Sequence, residues 1–105
     1  MIFIEARVFT KLLPRYLSDD DYRRLQTYLI NKPDGGVLVR GAGGIRKIRW
    51  SIEGRGKSGG VRILYFWHKS DSEIWLLTIY LKSDKASVSN KELKLISEAI
   101  GREKS

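Results

Sequence analysis

The spacing of hydrophobic and polar positions changes several times along the chain, and each change predicts an element. Met1–Ala6 is short and rich in apolar residues, with Ile2 and Ile4 offset from Phe3, and reads as a strand. Arg7–Leu17 is mixed, and Pro14 is expected to interrupt any long helix there, because proline lacks an amide proton and clashes with the preceding turn. From Ser18 the period becomes helical. Tyr22, Leu25 and Leu29 share one face, while Arg23, Arg24 and Gln26 turn to water. Ser18 is placed to cap this helix, and Asp19, Asp20 and Asp21 fill its first turn at the positive end of the dipole. Pro33 stops it, and Asp34-Gly35-Gly36 makes a turn.

The period then drops to two. Val37–Val39 is followed by a glycine-rich entry at 41–44 and by a strand over Ile45–Ile52. In that strand Ile48, Trp50 and Ile52 point one way, and Lys47, Arg49 and Ser51 the other. Leu64–Trp67 and Ile74–Leu81 are nearly continuous apolar runs, as central strands require, joined by a tight turn at Ser70–Ser72. After a polar connection, Ser89 with Glu92 gives a capping signal for a last helix, whose apolar face is Leu93, Ile96 and Ile100 and whose end is expected at Gly101. The outline is an α+β fold: a small, mostly antiparallel twisted sheet flanked by N-terminal and C-terminal helices, in one domain spanning residues 1–105.

Composition narrows the function classes. The chain has no cysteine, which excludes disulfides, thiolate zinc sites and cysteine nucleophiles, and it fits a reducing cytoplasm. With a single histidine, no metal site is expected, and His68 reads as a surface residue beside a turn. The start, MIFIEARVF, lacks the basic opening of a signal peptide, and no apolar run approaches the ~20 residues that span a bilayer. The net charge of +8 points to a polyanionic partner, nucleic acid first. That charge is concentrated. The stretch from Gly41 to Arg62 carries Arg46, Lys47, Arg49, Arg55, Lys57 and Arg62 against the lone acid Glu53, together with most of the glycines. Strand spacing suggests that Lys47, Arg49, Arg62 and Lys82 converge on one patch of the sheet.

Several motif matches carry no chemistry. Residues 54–59 spell GxGxxG, but a strand follows where a phosphate-binding helix N-terminus is needed. Gly56-Lys57-Ser58 mimics the end of a Walker A loop, yet Ser51 stands where its first glycine belongs. The acids at 19–21 are accounted for by the helix dipole. Trp50 is expected in the core, whereas Trp67 and Trp75 are equally suited to core packing and to stacking on bases.

Three linked segments, GAGGIRKIRW, GRGKSGGVRILYFW and IWLLTIYLKSD, resemble the HigB group of the RelE/ParE toxin superfamily in order and spacing. That resemblance implies the toxin of a type II toxin–antitoxin pair, a ribosome-dependent endoribonuclease that enters the vacant A site and cuts mRNA. It implies catalytic roles for Lys47, Arg49, Arg62 and Lys82, and contacts to RNA or ribosome by Arg46, Arg55 and Lys57. It implies no cofactor, a helix-turn-helix antitoxin of the HigA kind, and operator DNA reached only through that antitoxin. Some relatives carry a catalytic tyrosine or histidine near the C-terminus, and residues 83–105 have neither. Arg62 and Arg49 are then the expected phosphate clamps, with Lys47 or Lys82 as general base. Two other classes fit the same basic sheet: a ParE-like inhibitor of DNA gyrase, and an RNA-binding module without catalysis.

Overall fold

Two apolar runs dominate the middle of the chain, and they become the two innermost strands of a five-stranded sheet. The computed structural model describes residues 1–52, 60–83 and 89–104. Its elements in chain order are β1 (Ile2–Glu5), α1 (Arg7–Tyr16), α2 (Asp19–Asn31), β2 (Val37–Leu38), β3 (Ile45–Trp50), β4 (Val61–His68), β5 (Glu73–Leu81) and α3 (Asn90–Lys104). The sheet order is β1-β5-β4-β3-β2. β2 to β5 run antiparallel to their neighbours, as the outline predicts, while β1 joins β5 in parallel. This is the expected α+β class.

Both faces of the sheet are covered, which is why β4 and β5 read as continuous apolar runs. On one face Phe9 of α1 and Leu25 and Leu29 of α2 pack on Ile48, Ile63, Tyr65, Ile74 and Leu76. On the other, Leu93 of α3 packs on Ile45, Leu64, Trp75, Leu77 and Tyr80. A bulge between β4 and β5 pairs Leu64 with Thr78 but Tyr65 with Leu76, so Leu77 is an extra residue in β5. It lets Leu77 and Tyr80 reach the same face despite their odd spacing.

Two expectations need correction. Pro14 does not break the segment before Ser18: α1 runs through it, and Leu17 N–H still donates to Leu13 O at 3.0 Å. Burial of Phe9, with Leu12, Leu13 and Tyr16 packed beside it, outweighs the bond lost at the proline. Likewise α3 continues past Gly101 to Lys104, since a glycine ends a helix only where the chain turns off in a left-handed conformation. The start of α2 is as predicted, with Ser18 Oγ accepting from Asp21 N–H at 3.1 Å.

The link from α2 to β3 sets up the site. Tyr65, wholly buried, donates its hydroxyl hydrogen to Pro33 O and accepts from Gly36 N–H, each at 2.8 Å. A side chain at Gly36 would collide with that ring, at 2.8 Å from its edge. Arg46 adds a bond from its guanidinium to Gly36 O at 2.8 Å. Together they pin the short β2 against the start of β3. Among the described residues, no helix is long and apolar enough to cross a membrane.

Candidate functional site

β3 opens after a turn in which Gly41, Gly43 and Gly44 take positive φ. Gly44, at φ +100°, also lies close under Phe66, so the turn tolerates no side chain there. Ile45 then anchors the strand in the α3-side core. Alternation carries Lys47 and Arg49 onto that same side, further along the strand than the buried Ile45. The β3–β4 register places Arg49 directly opposite Arg62 and Lys47 opposite Leu64. Arg62 in turn faces Tyr80 across β5, and Lys82 follows the end of that strand, exposed.

Lys47, Arg49 and Arg62 therefore gather on one face. From strand spacing, the Lys82 backbone lies about 12 Å from that of Arg49. Like charges directly across a pair of strands destabilise a sheet. Among the described residues none of these four cations has an ion-pair partner. An uncompensated pair of arginines on rigid strands is poised for an anion, and the guanidinium fork matches phosphate oxygens.

Beside the pair lies an open hollow of about 640 Å³. It exists because β2 is two residues long and pairs only with Arg46 and Lys47, so the outer edge of β3 is bare from Ile48 onward. Lys47, Arg49 and Arg62 line its near side, and Arg24 and Tyr28 of α2 its far side. Tyr28 packs against Trp50 with ring centroids 5.6 Å apart. Trp50 is thus half in the core, as expected, and half a wall of the hollow.

The remaining predicted residues fall elsewhere. Arg46 shares the parity of Ile48, on the opposite face, and its guanidinium is engaged with the Gly36 and Asp34 carbonyls. Arg55 and Lys57 lie outside the described residues, as does the glycine pattern at 54–59. Trp75 is buried in the α3-side core, and Trp67 packs against the other core under Lys69. Nothing in the sequence marks Arg24 as part of the site. Its helical phase marks it only as water-facing, and the link through Gly35 and Gly36 is what folds α2 back beside β3. Tyr80 likewise carries no signal in the sequence beyond its place in an apolar run. It stands opposite Arg62 and is buried to 3% exposure, so it supports that residue from below.

Comparisons with known proteins agree with this architecture. Residues 25–103 match the family model described as the RelE toxin of the RelE/RelB toxin–antitoxin system. The structure of the isolated E. coli RelE toxin superposes with a TM-score of 0.57 at 18% identity, covering 96% of each chain. A double-arginine mutant of E. coli RelE in the free state gives 0.56 at 14% identity, covering 81% of this chain and 86% of that one. The intact E. coli RelBE toxin–antitoxin complex gives 0.55 at 13% identity, covering 76% and 94%.

Proposed function

The chain belongs to the RelE toxin family, and from that premise we propose that it is a ribosome-dependent endoribonuclease, of the HigB type, that cuts mRNA in the A site. The observation that carries the proposal is the facing pair Arg49 and Arg62, with Lys47 beside them and no acid to neutralise them among the described residues. Cleavage proceeds by attack of the ribose 2′-oxygen on phosphorus. The bond to the 5′-oxygen breaks, leaving a cyclic phosphate and a 5′-hydroxyl. Charge builds on the non-bridging oxygens in the transition state, and cations fixed on strands stabilise it without reorganising. Arg62 and Arg49 grip those oxygens. Lys47, with Lys82 at the end of β5, would supply amines for moving the 2′-hydroxyl proton and protonating the leaving oxygen.

A free toxin of this kind needs a restraint. The intact E. coli complex pairs its toxin with an antitoxin, and the basic face here suits an acidic helix-turn-helix partner of the HigA kind. Operator DNA would be reached only through that partner. Arg46, Arg55 and Lys57 remain candidates for contacts to ribosomal RNA, and the site of action is cytoplasmic.

The test is induced expression without a partner. Growth should stop, and translated messages should be cut in phase with codons. Intact transcripts with inhibited gyrase would overturn the proposal in favour of a ParE-like poison, and RNA binding without cuts would reduce the chain to a binding module.

A further inference from the structure

We propose that the β4–β5 hairpin carries a divalent-metal site formed by His68, Asp71 and Glu73, suited to a borderline transition metal such as Zn²⁺. It stands apart from the cation face: Arg62 and His68 are six positions apart on β4, about 20 Å.

The first two ligands come from the sheet itself. His68 and Glu73 are register partners on the last rung of the β4–β5 ladder. Directly paired residues point to the same face with Cβ atoms about 5 Å apart. The neighbours Phe66 and Trp75 identify that face as the α3 side. The third ligand comes from the turn. Ser72 N–H donates to Lys69 O at 3.1 Å, and Ser72 takes φ +53°. The chain thereby folds back and brings Asp71 Oδ2 within 3.1 Å of His68 Nδ1.

One ligand atom from each residue lies within 4.8 Å of both others. Tetrahedral zinc with bonds near 2.0–2.2 Å needs its ligand atoms about 3.4 Å apart. The His68–Asp71 distance already meets that, and side-chain rotation closes the rest. Trp75 Nε1–H donates to Glu73 Oε1 at 3.2 Å, the kind of outer contact that fixes a metal-binding carboxylate. The nearest cation in sequence is drawn away: Lys69 Nζ sits 4.9 Å from the centre of the Trp67 ring, which packs on the opposite core. Two carboxylates and one imidazole make up the donor set. The donor set suits zinc, cobalt or nickel better than calcium, and it leaves a coordination position for water or a partner's donor. A lone histidine argued against a metal in the sequence. Carboxylates from the opposite strand and the turn complete the set.

The competing account is a simple ion pair, His68 with Asp71, capping a hairpin. Titrating the purified chain with Zn²⁺ by calorimetry, and with Co²⁺ by visible absorption, separates the two. One ion per chain should bind, with a Co²⁺ d–d spectrum of low-symmetry N/O coordination. His68→Ala and Glu73→Gln should each weaken binding by at least about tenfold. The glutamine keeps an acceptor for Trp75. Asp71→Asn, at an exposed turn position, provides the same readout with the least risk to the fold. Absence of stoichiometric binding, or equal affinity in all three variants, would overturn the proposal.

Discussion

Arg62 shows how one side chain can be judged by two substitutions. As a strand-end residue whose stem covers core, it would tolerate lysine and lose a little stability on truncation. As a phosphate clamp opposite Arg49, it depends on the planar fork, which lysine lacks. We expect Arg62→Ala and Arg62→Lys both to lower cleavage on programmed ribosomes by ~10²–10³, with thermal melts close to the parent. A folded Arg62→Ala protein cutting at the original rate would sink the assignment. Asp21 makes a different prediction. Burial pushes its carboxyl up, but hydrogen bonds from the Ser18 side chain and backbone and from the Arg24 guanidinium outweigh that and hold it below its ordinary value. A carboxyl lowered by folding contributes stability that is full above its unfolded pKa and is lost as pH falls through the folded value. The gap in urea midpoint between parent and Asp21→Asn should therefore be wide near about pH 6 and shrink below about pH 4. A gap independent of pH would show that the charge is not what matters.

At the scale of elements, what was legible tracks what is local. The cap at Ser18, the apolar stripe Leu25–Leu29 and the strand character of 45–50, 64–67 and 74–81 follow from spacing alone. So does the shared face of Lys47 and Arg49, because alternation within one strand needs no partner. The facing of Arg49 and Arg62 is less legible, since the β3–β4 register rests on the packing of residues such as Ile45 and Ile48 in the two cores, not on either arginine. The parallel placement of β1 and the bulge at Leu77 were illegible, because each is decided by distant residues. Pro14 misleads for a related reason: its local penalty is visible in the sequence, whereas the burial of Phe9 that offsets it is not. That penalty should still be present. Pro14→Ala restores a donor for Thr10 O, so α1 should gain about 1 kcal/mol or more, even after the looser unfolded chain is counted. The melting temperature should rise by roughly 4–8 °C per kcal/mol in a domain of this size. A lower melting temperature would mean that the proline relieves a clash elsewhere in α1.

Over the whole molecule, the question is whether eight net positive charges act as a diffuse cloud or through one patch. Cations are spread widely: Arg7, Lys11 and Arg15 are all exposed on α1, away from the sheet residues Lys47, Arg49 and Arg62. A diffuse cloud would attract RNA to any of them. A patch of strand-borne cations would release counterions only where phosphates settle. Salt dependence distinguishes the two, because single-stranded RNA binding falls with log salt at a slope of about −0.7 per phosphate neutralised. If Lys47, Arg49, Arg62 and Lys82 each meet a phosphate, a short RNA should show a slope of about −2.8. Removing any one of Lys47, Arg49 or Arg62 should flatten it by about 0.7, whereas Lys11→Ala should weaken binding slightly and leave the slope alone. Fluorescence anisotropy across a salt series measures this without the ribosome, and so tests the patch independently of cleavage. Equal slopes for Lys11→Ala and Arg49→Ala would mean that the sheet concentrates charge without using it.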